Sequence, residues 1–163
     1  MMHIIFENVI NLFQSVVVTV FLMASLGCKD KYNKKCIGII GIVTTFIYLT
    51  VSNHIAYFES VGIYIYMIYS LIFSFWVLGG TIIEKLFYNV MMIGCLAGSA
   101  LLGVGLISLV IKKDFLNAIP FGTASRYVSG ILVQLLLMLF LGFFIKLKKV
   151  LKEKDNKYMF TMS

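Results

Sequence analysis

Five continuous apolar stretches, at residues 4–26, 36–52, 61–78, 86–111 and 126–145, take up most of this 163-residue chain. Runs of roughly 17–25 apolar residues match the length of a helix crossing a hydrocarbon layer about 30 Å thick. Barrel strands would instead alternate apolar and polar residues over about 10 positions, and the runs do not alternate. Inside hydrocarbon the backbone must satisfy its own hydrogen bonds, so such runs fold as helices. Composition agrees, with 61% of residues hydrophobic and 13% charged, where a soluble domain has about 45–50% and 25%. The expectation is an all-α, polytopic transmembrane helical bundle of about five spans at residues 1–145, then a basic amphipathic tail at residues 146–163.

The basic residues set an expected orientation. Lys29, Lys31, Lys34 and Lys35 sit in the first loop and six lysines lie between residues 146 and 157, whereas the loop at residues 53–60 has none. Placing the first loop, the Glu84–Lys85 polar step and the tail in the cytoplasm leaves only Lys112, Lys113 and Arg126 outside. The positive-inside rule then puts the N-terminus out and the C-terminus in. The net charge of +7 belongs to these clusters. No basic face with interleaved stacking aromatics lies outside the spans, so nucleic acid is not an expected partner. The lipid bilayer is, with Lys146, Lys148, Lys149 and Lys152 laid on anionic headgroups. Glu7 comes early and no positive segment precedes the first run, so a cleavable signal peptide is not expected.

Polar residues inside apolar runs are costly to bury and mark candidate sites. Glu7 and Asn11 are four apart near the outer end of the first span, and Arg126 opens the fifth. Tyr57, Glu59 and Tyr64 crowd the outer end of the third. Those six residues form a candidate ligand vestibule facing outward. The simpler accounts are an aromatic belt for the tyrosines and an arginine that snorkels to phosphate. Gln14 and Gln134 are further polar groups within spans. In the fourth span, Gly94 and Gly98 form one row of small residues and Cys95, Ser99 and Gly103 another. Small residues four apart share a face and let another helix approach closely, within the chain, in a homodimer, or against a partner membrane protein.

Catalysis is not expected. His3 and His54 fall at the outer surface and Cys28 and Cys36 at the inner, so they cannot come within hydrogen-bond reach of one another. No paired carboxylates, metal-ligand spacing or phosphate-binding glycine loop is present, so no metal or cofactor is expected. The cysteines read as small apolar residues.

The opening Ile5-Phe6-Glu7-Asn8-Val9-Ile10-Asn11-Leu12-Phe13, the lysine-rich turn, the short second span, and Arg126 entering a span that ends in Lys146-Leu147-Lys148-Lys149 together resemble a known pattern. It is that of the N-terminal membrane sensor region of GHKL-type sensor histidine kinases, the class that includes autoinducing-peptide receptors. The resemblance implies a bacterial plasma-membrane sensor of a two-component system, with a secreted peptide as ligand. The kinase core of that family is missing from this chain, so no kinase activity of its own is implied. The alternatives are a substrate-binding subunit of a small-molecule transporter and a bacteriocin-immunity or accessory membrane protein.

Overall fold

The computed structural model describes residues 2–53, 58–112 and 123–161, with side chains described at 2–53, 62–112 and 123–151. Five helices follow in order: α1 (Met2–Leu26), α2 (Lys34–Ser52), α3 (Phe58–Val77), α4 (Ile82–Ile111) and α5 (Ala124–Thr161). By length and apolarity α1, α2, α4 and α5 can each cross a membrane, and α3 is apolar over Gly62–Val77. With 20 residues, α3 extends about 30 Å at 1.5 Å per residue. The chain is an all-α, multi-pass membrane bundle.

Side-chain polarity is distributed as a lipid solvent demands. Ile39, Ile68, Trp76, Ile83, Leu109 and Leu139 are exposed on the outside of the bundle, while Asn11, Thr19, Thr45, Ser74, Asn89 and Gln134 are buried. Lipid tails are as apolar as leucine, so helices associate through close packing and interhelical hydrogen bonds. Several buried serines are satisfied within their own helix. Ser15 donates to the Leu12 carbonyl at 2.7 Å and Ser99 to the Leu96 carbonyl at 2.9 Å. They act mainly as small residues at helix contacts.

The packing forms a ring. α1 packs against α2 and α5, α2 against α3, α3 against α4 and α4 against α5, with α1 also touching α4 across the middle. Val18, Phe21 and Leu22 of α1 meet Met92 of α4 and Leu137 and Leu141 of α5 in a band that is almost wholly buried.

Two glycines set the close approaches. A Cβ at Gly41 would lie 2.7 Å from Thr19 Cγ2 and 2.9 Å from Phe73 Cζ, and one at Gly103 would lie 2.5 Å from Val133 Cγ2. The two small-residue rows of α4 therefore separate. Cys95, Ser99 and Gly103 are buried, whereas Gly94 and Gly98 have open space where a Cβ would go.

The end carrying the α1–α2 and α3–α4 turns is tied by lysines. Gly27 at φ 70° and Gly80 at φ 79° take up left-handed backbone that an L side chain resists. Cys28 and Leu78 form an isolated antiparallel bridge, flanked by Lys29 N–H donating to the Val77 carbonyl at 3.2 Å and Gly79 N–H to the Gly27 carbonyl at 3.0 Å. Lys29 Nζ donates to the carbonyls of Phe75 and Trp76 at 2.8 and 2.9 Å. Lys148 Nζ donates to the Ser25 carbonyl and sits 4.9 Å from the centre of the Tyr88 ring. Last-turn carbonyls have no partner within their helix, and a cation there also meets the negative end of the helix dipole.

Three sequence expectations change here. α4 starts at Ile82, so Glu84 and Lys85 belong to its first turn. The cause is a capping box, in which Thr81 accepts from Glu84 N–H while the Glu84 carboxylate accepts from Thr81 N–H at 2.7 Å. α5 runs without a break through residue 145 to Thr161, because no glycine or proline interrupts its lysine-rich second half. Lys148 is half-buried and reaches back to the Ser25 carbonyl at the end of α1. Lys146 and Lys149 are exposed, and the Lys152 side chain lies outside the described residues.

Candidate functional site

The opposite end of the bundle opens into a cleft of about 740 Å³. α1 contributes its most polar face, with His3, Glu7, Asn11 and Gln14 stacked one above another at roughly helical spacing. His3 and Gln14 are about 16 Å apart along the axis at 1.5 Å per residue. That is around half of a bilayer's hydrocarbon thickness. Facing this polar wall is an apolar one, made by Leu96, Ala97 and Ala100 of α4 with Ile63 of α3. Tyr48, Ser52 and Asn53 of α2, Tyr66 of α3 and Arg126 of α5 complete the lining.

The polar residues are held by one another. Arg126 Nε donates to Glu7 Oε1 at 2.9 Å, an ion pair whose side chains are 34% and 19% exposed. Asn53 Nδ2 donates to Asn11 Oδ1 at 3.1 Å. Gln134 Nε2 donates to Gln14 Oε1 at 3.1 Å. These bonds join the starts of α1 and α5 and the end of α2. Helices that begin or end at one face of the bundle bring together residues more than a hundred positions apart.

A tyrosine cluster forms one side. Tyr48, Tyr66 and Tyr69 stack with ring centres 5.4–6.2 Å apart. Tyr48 donates its hydroxyl to the Gly62 carbonyl at 2.6 Å, and Tyr69 bonds with Thr44. The Tyr66 hydroxyl is buried and has no hydrogen-bond partner among the described residues. Below Gln14 the cleft ends against the packed band of Val18, Phe21, Leu22, Met92, Leu137 and Leu141.

Of the six expected vestibule residues, the fold brings Glu7, Asn11 and Arg126 together. Tyr64 is a correction: it is 66% exposed on the outer surface of the bundle and is not among the lining residues. Tyr66, two residues on, takes the inward position, because neighbours two apart on a helix point about 200° apart. Tyr57 and the side chain of Glu59 lie outside the described residues. Tyr48 and Asn53 were not legible as site residues. Tyr48 is one aromatic in a uniformly apolar run, and Asn53 reads as a helix stop.

The three cysteines are free, and Cys28 and Cys36 lie at the lysine-tied end. No group of histidine, cysteine and acidic residues that could hold a metal ion occurs among the described residues. No known protein family, curated protein or solved structure matches the chain.

Proposed function

We propose that this chain is a receptor-type module of a bacterial plasma membrane, which admits a ligand from the outer face into a blind cleft and has no catalytic activity of its own. The cleft is the observation that carries the reading: a polar and an apolar wall face one another, and packed side chains close the deep end. Pockets of this size, mostly apolar with a few convergent polar groups, are where membrane-embedded bundles take ligands. In the orientation given by the lysines, the cleft faces out and the lysine-tied end faces the cytoplasm. α5 then joins the two sides. It carries Arg126 at the cleft and Lys148 at the far end, so a ligand seated in the cleft lies against a helix reaching the cytoplasm.

A second reading, the binding subunit of a small-molecule transporter, is favoured by the depth of the cleft, about 16 Å along α1 from His3 to Gln14. Reconstitution in liposomes separates the two. Peptide fractions from culture medium are added outside, and the labelling rate of Lys148→Cys by a thiol reagent is followed at the other end. The receptor reading predicts a change in labelling rate with no accumulated solute. Accumulation inside the liposomes would favour transport, and an unchanged rate with every fraction would count against a receptor.

A further inference from the structure

We propose that the cleft takes an uncharged amphiphile, a molecule with one apolar face and one edge of amide or hydroxyl groups. This deepens the reading of the cleft as a ligand site and rests on it. Three observations point to this chemistry. The first is charge balance. The two oppositely charged side chains of the described lining, Glu7 and Arg126, hold each other at 2.9 Å. Paired, the two largely cancel each other's field at the cleft, and a charged ligand would compete with that pairing. An uncharged ligand leaves it intact.

The second is the character of the polar wall. Asn8, Asn11 and Gln14 of α1 and Asn53 of α2 all line the cleft. A primary amide offers two N–H donors and an acceptor oxygen. The Asn53–Asn11 bond uses one N–H of Asn53 and the oxygen of Asn11, which leaves Asn11 with donors and Asn53 with an acceptor to present. A wall that both donates and accepts matches amides and hydroxyls, which do the same.

The third is Tyr66. Its hydroxyl is buried beside the cleft and has no partner among the described residues. An unmade hydrogen bond in a buried site is costly, and a ligand group that completes it gains the whole difference. The facing wall of Leu96, Ala97 and Ala100 offers only hydrocarbon, which suits the other face of an amphiphile lying along α1.

The test uses three probes with the same chain and different heads: decanamide, decanoate and decylamine, uncharged, anionic and cationic at neutral pH. Each is added to the purified full chain in mild detergent, and bound stoichiometry is read by native mass spectrometry. The proposal predicts one saturable decanamide per chain, with decanoate and decylamine at least about tenfold weaker. Asn11→Leu should weaken decanamide by about tenfold, the equivalent of one buried hydrogen bond. Ala97→Phe, which fills the cleft from its apolar wall without removing a polar group, should abolish binding, so the test does not depend on the polar variant folding. Tighter binding of decanoate or decylamine, still lost in Ala97→Phe, overturns the uncharged assignment and leaves the cleft as a ligand site. Failure of all three to bind saturably, or binding unchanged in Ala97→Phe, overturns both.

Discussion

Glu7 and Arg126 are 119 residues apart, yet they form the ion pair at the mouth of the cleft. A charged hydrogen bond of this kind contributes roughly 1.5–3 kcal/mol where it is shielded from water. Glu7→Gln should therefore lower the thermal stability of the protein in nanodiscs, as should Arg126→Gln. The Glu7→Arg, Arg126→Glu exchange should recover part of the loss. If the exchange is no better than the worse single variant, the pair is not holding α1 to α5. These two residues were visible in the sequence because a charge in an apolar run stands out. The amides Asn53 and Gln134 were harder to place, because a polar residue in a helix reveals its partner only when the packing is known.

Cys28 is the partly buried thiol of the lysine-tied end. It lies in the turn between α1 and α2, where burial pushes its thiol above the ordinary cysteine range and the nearby Lys34 pulls it partly back. A raised pKa leaves less thiolate at any pH below it, and thiolate is the reactive form. Cys28 should therefore alkylate slowly near neutral pH and accelerate as pH rises, and exposed Cys36 should react first. Mass mapping after brief maleimide treatment at several pH values checks the order. Equal rates at both sites near neutral pH would contradict the partial burial of Cys28.

Among the elements, α4 shows most clearly what sequence reading recovers and what it leaves open. Its two rows of small residues were evident from spacing alone, but spacing assigned both to packing without saying which faced a neighbour. Only Gly103 of the three glycines meets another helix, at Val133 of α5. Gly41, which pairs with Thr45 four residues on in a row that drew no attention in the sequence, meets Thr19 and Phe73 just as closely. Gly103→Leu and Gly41→Leu should each destabilise the bundle by about 1–3 kcal/mol or more through overpacking. Gly94→Leu and Gly98→Leu should fold like the parent. Thermal unfolding of the four variants in one detergent gives the comparison, and equal losses at all four sites would contradict the packing described. The helices α4 and α5 also reach beyond the spans expected from sequence. Lysine and glutamate read as the edge of a span, whereas helix propensity and capping decide where the helix itself stops.

For the whole molecule, the fold class followed from the length and continuity of the apolar runs, because a membrane leaves the backbone few options. The cleft was only partly legible. Its polar residues on α1 and α5 stand out against apolar neighbours, but its apolar wall is built from leucine and alanine that look like any others in the sequence. Polar residues at one end and lysines capping helices at the other give the bundle two unlike faces, and the proposed function depends on which faces outward.

Membrane-impermeant maleimide labelling of Asn8→Cys, with native Cys36 as the internal reference, tests that directly. In intact cells the account predicts labelling at residue 8 from outside, and at Cys36 only after the membrane is permeabilised. Labelling of Cys36 in intact cells, with residue 8 protected until permeabilisation, would reverse the orientation and contradict a cleft that receives its ligand from outside.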